Sequence, residues 1–190
     1  MKNQADIEAS WIEGIQKGDR ESQRKLYDSY LPFILSIVRR FGFHDSDIAD
    51  VIQEIFIEVF INLKKYDAKK GALKYWIKSL AIHKILNTIR KNKRKTLIQY
   101  GEPIQEPGIR PIALEELDAE YLIDCIATLP DGYRTVFNLY AVDGYSHQEI
   151  GQMLGIGANS SRSQLSRAKQ LLKKKLYKLK PEIYDGLLRK

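Results

Sequence analysis

The chain has 190 residues, 29% of them charged, and its formal net charge of +7 at pH 7 favours a polyanionic partner such as nucleic acid. Its length suits one or two compact domains. A single cysteine, Cys125, excludes a disulfide framework and is expected to be a core residue, and because neither a signal peptide nor an apolar run of roughly 20 residues is found, we expect a cytoplasmic protein.

Apolar residues recur at helical spacing along most of the chain without an alternating strand pattern, so we expect an all-α fold. Ile7, Trp11 and Ile15 predict a first short helix. The apolar pattern of residues 26–41 predicts a second helical region. Pro32 is expected to kink or divide that region, because proline removes one backbone N–H and clashes with the preceding turn.

A long amphipathic helix is predicted over residues 48–63, with apolar side chains on one face. Asp50, Glu54 and Glu58 lie on the other side at intervals of four residues. Carboxylates at this spacing can serve as metal ligands or as a general acid and base, but on a long helix a solvated or protein-binding face is the commoner outcome. We therefore expect a solvated or protein-binding face here and not a catalytic or metal site.

Residues 74–95, KYWIKSLAIHKILNTIRKNKRK, combine aromatic, amide and basic side chains on a helix predicted over 73–91. Aromatic rings stack on unpaired bases, while Lys and Arg hold the phosphates of a single strand. Trp76 alone is equally suited to anchoring the core. For the whole set we favour contact with single-stranded DNA; its members are Lys74, Tyr75, Trp76, His83, Asn87, Arg90, Lys91, Lys93 and Arg94.

Helical periodicity fails over residues 96–113, where Gly and Pro recur, and residues 101–120 carry six acidic residues against one basic residue, Arg110. Gly and Pro break regular elements, so this segment is predicted to be a flexible acidic linker. The chain is therefore expected to form two small helical domains, one over residues 1–95 and the other over residues 114–190.

The second domain is expected to pack several amphipathic helices. Pro130 is predicted to begin one of them, since a proline in the first turn loses no helical hydrogen bond. Val136, Phe137 and Tyr140 are expected to face its core. The last helix is expected to bury a stripe of Leu165, Ala168, Leu172, Leu176 and Leu179.

Residues 143–169 have the pattern of a helix-turn-helix. Ser146 and Glu149 form a capping box that begins the first helix, and Gly155 suits the left-handed conformation that ends it. The second helix is predicted to begin near Ala158. Its exposed face carries Arg162, Ser163, Ser166 and Arg167, side chains that suit the major groove of DNA. An αα-corner used only for packing is the other interpretation of this pattern.

The sequence offers no candidate active site. His44, His83 and His147 are scattered, no Cys or His cluster has metal-ligand spacing, and no phosphate-binding Gly loop is present. We therefore predict a protein that is not an enzyme, with neither catalytic residues, nor a metal, nor a cofactor.

The sequence resembles bacterial RNA polymerase sigma factors of the extracytoplasmic-function group. The resemblance spans nearly the whole chain. It rests on four stretches in the order typical of that family: DIADVIQEIF at 47–56, ALKYWIKSLAIHKILNTIRKNKRK at 72–95, LPDGYRTVFNLYAVDGYSHQEIGQMLGIG at 129–157 and SRSQLSRAK at 161–169.

The resemblance implies a role for each of these stretches. Residues 1–95 would correspond to sigma region 2, which binds core polymerase and the −10 element, and residues 114–190 to region 4, which binds the −35 element. Core polymerase would bind Asp50, Gln53, Glu54 and Phe56. The melted −10 strand would contact the set on residues 74–95. The −35 duplex would contact Ser160, Arg162, Ser163, Ser166 and Arg167.

The expected partners are core RNA polymerase, promoter DNA as duplex and as melted strand, and an anti-sigma protein, often membrane-bound in this family. This chain departs from the family at His83, where Asn is common, and at Asn159, Ser160 and Ser161, where Gly-Thr-Val is common. Two other functions stay open at this stage: a stand-alone helix-turn-helix regulator, and a decoy that binds polymerase without initiating.

Overall fold

A computed structural model describes the backbone of residues 3–99 and 119–179, and the side chains of these residues except 93–99, 119–121 and 177–179. Its regular elements are all helical and it has no β-strand in the described ranges, which confirms the all-α prediction. The described chain divides into two compact units, residues 3–38 with 44–99 and residues 39–43 with 119–179.

The N-terminal unit is built from four α-helices and one 3₁₀ turn. These are α1 (Gln4–Gln16), α2 (Arg20–Arg40), α3 (Asp45–Asn62), the turn Leu63–Lys65 and α4 (Leu73–Gln99). Apolar side chains from the last three helices fill its core, as their helical spacing predicted. Those fully excluded from solvent include Leu26, Ile34, Val38, Ile55, Val59, Leu73, Ile77, Ala81, Ile82 and Ile85.

Pro32 lies inside α2, and the helical backbone continues through it. Of the two predicted effects, division of the helix at Pro32 is therefore wrong, and a kink there stays a prediction. The physical reason is the packing on both sides of the proline, where Leu26 and Ile34 are completely buried. Burial of two such side chains contributes several kcal/mol, which offsets the loss of one backbone hydrogen bond.

Helix α4 extends beyond the end expected at residue 91 and reaches Gln99. Residues 92–99 contain neither Gly nor Pro and consist largely of good helix formers, so nothing in them stops the helix. Residues 96–99, which were predicted to begin the linker, therefore belong to α4. The remainder of the predicted linker, residues 100–113, lies outside the described part. The predicted domain boundaries stay predictions.

The C-terminal unit contains α5 (Ala119–Ala127), α6 (Asp131–Phe137), a π-helical turn (Asn138–Val142), α7 (His147–Leu154) and α8 (Ala158–Leu179). Cys125, Leu129, Ala168 and Leu172 form a buried cluster between α5 and α8. This confirms Cys125 as a core residue and the apolar stripe of α8 as far as Leu176, which packs against the cluster.

The corner between α5 and α6 is fastened by Arg134, a residue to which the sequence assigned no role. Its guanidinium donates to the carbonyl oxygens of Ala127 at 2.6 Å and Leu129 at 3.0 Å, and it pairs with Asp131 at 2.6 Å. Burial lowers the pKa of Arg134, and the neighbouring Asp131 opposes that shift. The arrangement satisfies carbonyl groups at the end of α5.

Tyr140 was predicted to face the core, and this prediction is wrong, because its side chain is 39% exposed. Tyr140 lies within the π-helical turn, whose wider winding moves it off the face that α-helical spacing from Val136 predicts. Leu139 occupies the core position instead. Tyr140 stacks on His147, with ring centroids 4.3 Å apart and an interplanar angle of 16°.

Candidate nucleic-acid and protein interfaces

The helix-turn-helix pattern is present as predicted. The Ser146 hydroxyl accepts a hydrogen bond from the Glu149 backbone N–H at 3.2 Å, and the Glu149 carboxylate accepts one from the Ser146 N–H at 2.8 Å. Hydrogen bonding from the Ser146 backbone N–H, with a further contribution from the Ser146 side chain, holds the pKa of the Glu149 carboxylate below its usual value. Gly155 ends α7 in the left-handed conformation with φ 69°, and α8 begins at Ala158.

Helix α7 and the turn that follows it approach each other closely at Gly151. A Cβ at that position would lie 2.7 Å from the carbonyl oxygen of Ile156, so a side chain there would force the turn open. Gly151 had no predicted role. The available signal was a glycine in the interior of a helix, where it is unfavourable and usually has a packing reason.

A polar contact also joins α7 to α8. His147 Nδ1 lies 2.9 Å from the hydroxyl oxygen of Ser161, and Ser161 is completely buried. Burial lowers the pKa of His147, and the nearby Arg162 adds to that effect. Ser161, one of the three α8 residues that depart from the family pattern, therefore faces the interior of the motif.

The predicted reader residues of α8 lie together on its exposed side, opposite Leu165 and Ala168. They are Ser160, Arg162, Ser163, Ser166 and Arg167. The first turn of α8 carries no acidic residue, so the positive end of its dipole is not neutralised there. Every residue of this face is exposed and carries a guanidinium or a hydroxyl group that can donate hydrogen bonds.

Six members of the predicted α4 set are exposed, although they do not all share one side of the helix: Lys74, Tyr75, His83, Asn87, Arg90 and Lys91. His83 Nδ1 lies 2.7 Å from the carbonyl oxygen of Ser79. Only a protonated nitrogen can bond a carbonyl oxygen, so in neutral His83 the proton is on Nδ1 and Nε2 is an acceptor. Arg90 donates to the side-chain oxygen of Asn87 at 3.0 Å.

The two aromatic members of the α4 set have different surroundings. Tyr75 is 67% exposed, whereas Trp76 is partly buried and packs on Tyr66 with ring centroids 5.6 Å apart. Lys78, which sequence analysis missed, places its ammonium 5.8 Å from the Tyr75 ring centroid. Lys93 and Arg94 also belong to the predicted set, and their side chains lie outside the described part.

Helix α3 exposes Asp50, Gln53 and Glu54 as predicted, but not Phe56. Phe56 is only 3% exposed and packs between Tyr27, with ring centroids 4.3 Å apart, and Phe60 at 6.1 Å. In the folded unit Phe56 is therefore a core residue with little surface to offer a partner, and its contact with core polymerase stays a prediction. Phe56 follows the buried Ile52 by four residues and precedes the buried Val59 by three, so it shares their face of α3.

Two isoleucines that sequence analysis did not consider are exposed on α3. Ile57 is 48% and Ile61 68% exposed, and both continue the stripe of Asp50 and Glu54 at helical spacing. The signal was available in the run Ile55-Phe56-Ile57, because three successive apolar residues cannot all face one side of a helix. Glu54 also pairs with Lys84 of α4 at 3.1 Å.

No helix within residues 3–99 or 119–179 combines the length and the hydropathy needed to cross a membrane. In the same ranges, no three His, Cys, Asp or Glu side chains are grouped so that they could hold a metal ion.

Comparison with known proteins gives two family matches in chain order: "Sigma-70 region 2" over residues 26–95 and "Sigma-70, region 4" over residues 119–172. The ECF RNA polymerase sigma factor SigW of Bacillus subtilis is 26% identical over 177 residues, which are 87% of this chain and 94% of that protein. SigM of the same organism is 28% identical over 157 residues, 78% and 91% of the two chains.

A solved structure of the sigma factor RpoE in complex with the anti-sigma factor NepR, from Bartonella quintana, has a related fold. Its TM-score is 0.52 at 20% sequence identity, and the alignment covers 80% of this chain and 97% of that one.

Proposed function

The chain belongs to the sigma-70 family of RNA polymerase sigma factors, in the extracytoplasmic-function group, and we propose that each of its helical units reads one element of a promoter. As a sigma factor it binds core RNA polymerase and promoter DNA. The stand-alone helix-turn-helix regulator is not favoured, because residues 26–95 match sigma region 2, which such a regulator does not need.

The observation that carries the proposal is a pair of polar, basic helix faces suited to different forms of DNA. The α8 face follows a helix-turn-helix turn and suits the major groove of the −35 duplex. The α4 face has the exposed ring of Tyr75, which can stack on a base of the melted −10 strand, and cations that can hold its phosphates. His83 would offer Nε2 as an acceptor to a base edge.

Core polymerase is proposed to bind the exposed stripe of α3. Asp50, Gln53 and Glu54 supply charge and hydrogen-bonding groups for a basic partner face. Ile57 and Ile61 supply the apolar contact for which Phe56 is too deeply buried. An interface of this kind, with exposed apolar residues flanked by charges, resembles the centre and rim of stable protein interfaces.

An anti-sigma protein is a further proposed partner. The solved relative RpoE is bound to the anti-sigma factor NepR, and the chain covers 97% of that RpoE structure with the same fold. We place the action of this protein in the cytoplasm, where core polymerase is found. We assign it no reaction of its own: its proposed contribution is recognition and strand capture.

The proposal is tested by reconstituted transcription. The full chain is mixed with core polymerase and a genomic promoter library, and the transcripts are sequenced. We expect new start sites that share two upstream elements and that disappear when the chain is omitted. Binding to core without any initiation would identify a decoy, and duplex binding without affinity for core would identify a stand-alone regulator; either result contradicts the proposal.

A further inference from the structure

We propose that Asn159 and Tyr133 are positioning residues that hold the two arginines of the α8 reader face ready for the −35 duplex. This inference rests on the proposed reading of that duplex by α8. Neither residue belongs to the predicted reader set, and Tyr133 lies on a different helix, α6.

The two arginines have defined partners in the C-terminal unit. Arg162 Nη1 donates to the side-chain oxygen of Asn159 at 2.6 Å. Arg167 Nη1 donates to the hydroxyl oxygen of Tyr133 at 3.3 Å. Asn159, Arg162 and Arg167 are all exposed, so these hydrogen bonds are not needed to satisfy buried polar groups. Their effect is to restrict arginine side chains that would otherwise sample many rotamers.

The chemistry of both acceptors suits a DNA-reading role. An amide oxygen and a phenol oxygen are neutral, so each orients a guanidinium without neutralising its charge. A carboxylate in the same place would weaken the attraction to phosphate and repel the DNA backbone. Each contact uses one N–H of the guanidinium and leaves the remaining donors for a forked contact to guanine or phosphate.

Preorganisation supplies the energetic reason. An arginine side chain carries about 2 kcal/mol of rotamer entropy, part of which is lost when it binds in one geometry. Holding that geometry before DNA arrives removes part of this cost from the binding step. Asn159 stands where the family commonly has glycine, which has no side chain to donate or accept, so this device belongs to this chain.

The test compares Asn159→Ala, Arg162→Ala and the double variant as full chains in complex with core polymerase. Each holoenzyme selects from a promoter library randomised over the −35 window, and base preference is scored position by position. We expect Asn159→Ala to lower discrimination about two- to tenfold, the range of one hydrogen bond, at the positions where Arg162→Ala also lowers it. In the Arg162→Ala background, Asn159→Ala should change nothing further.

Rescue and control variants separate positioning from a general structural effect. Asn159→Asp keeps an acceptor oxygen, so it should retain the base preference while weakening binding equally on all sequences. Gln170→Ala removes an exposed amide from the same helix and should leave the preference unchanged. Tyr133→Phe keeps the ring and removes only the hydroxyl, and it should reproduce in part the preference change of Arg167→Ala. Thermal unfolding of each variant verifies that it is folded.

The outcomes are distinguishable. The inference is overturned if Asn159→Ala leaves the base preference unchanged while Arg162→Ala alters it. It is also overturned if the losses of base discrimination in the two single variants add in full in the double variant. It is also overturned if Asn159→Asp loses the preference as Asn159→Ala does. If Arg162→Ala and Arg167→Ala both leave the preference unchanged, the proposed reading of the −35 duplex by these arginines fails first.

Discussion

At the scale of single residues, the cap of α7 gives a direct measure of how local chemistry stabilises the DNA-binding motif. Ser146→Ala removes the hydroxyl that accepts the Glu149 N–H, so a backbone donor at the start of α7 loses its partner. We expect the free energy of unfolding to fall by about 1 kcal/mol. Urea denaturation followed by circular dichroism measures it. Ser163→Ala, at an exposed position within α8, is the matched control and should change stability little.

Glu149 makes the same cap dependent on pH. Its pKa is lowered in the folded protein, chiefly by hydrogen bonding to Ser146, so the folded state favours the charged carboxylate. This contribution is complete above the ordinary pKa of 4.5 and is lost as pH falls through the lower folded pKa. Glu149→Gln keeps an acceptor oxygen but does not titrate. We expect the stability difference between wild type and Glu149→Gln to shrink from pH 6 to pH 3, and a constant difference would contradict this account.

At the scale of elements, α3 separates folding from partner binding on two faces of one helix. Phe56→Ala should lower the free energy of unfolding by about 3–5 kcal/mol, because it leaves a cavity between Tyr27 and Phe60. Ile57→Ala and Ile61→Ala should change it by no more than about 0.5 kcal/mol, since Ile57 is half-exposed and Ile61 largely exposed. Thermal and urea unfolding of the three variants check this contrast.

Affinity for core polymerase should follow the opposite order. Each isoleucine substitution is expected to weaken binding by about 1 kcal/mol, roughly fivefold in Kd, through lost apolar contact. Fluorescence anisotropy with labelled chain and core polymerase measures the Kd. Ile12→Ala on α1 truncates an apolar residue away from the α3 stripe and serves as the control. Unchanged affinity in both isoleucine variants would remove them from the interface.

The elements also indicate how far sequence reasoning reaches in this protein. Local chemistry was sufficient for the cap at Ser146, the left-handed Gly155 and the beginning of α8, because neighbouring residues determine these features. It was insufficient for Pro32, Phe56 and Tyr140. Tertiary packing keeps α2 continuous and buries Phe56, and the π-helical turn that moves Tyr140 outward has no recognised sequence signal.

The candidate sites follow the same division. Exposure of the α8 set and of the charged α3 residues could be predicted, since polar residues opposite an apolar stripe face solvent. The partners of the arginines could not all be predicted, because Tyr133 reaches Arg167 across 34 positions of sequence. Contacts between helices depend on how α6 packs on α8, which no periodicity specifies.

At the scale of the whole molecule, the two reader faces belong to separate compact units, and each is proposed to contact its own promoter element. A substitution in one unit should then slow open-complex formation by the same factor whether or not the other unit is substituted, because the effects of sites without shared partners are additive in free energy. Tyr75→Ala tests the α4 face and Arg162→Ala the α8 face. The measured quantity is the rate of open-complex formation by the holoenzyme on one promoter.

We expect the fold losses of Tyr75→Ala and Arg162→Ala to multiply in the double variant. The Asn159 and Arg162 pair, which shares one hydrogen bond, should instead show losses that do not multiply. Replacing the −35 sequence of the template should abolish the effect of Arg162→Ala and preserve that of Tyr75→Ala. If the Arg162→Ala loss persists on that template, Arg162 contacts phosphates irrespective of sequence, and base recognition in the −35 duplex must come from other members of the α8 face.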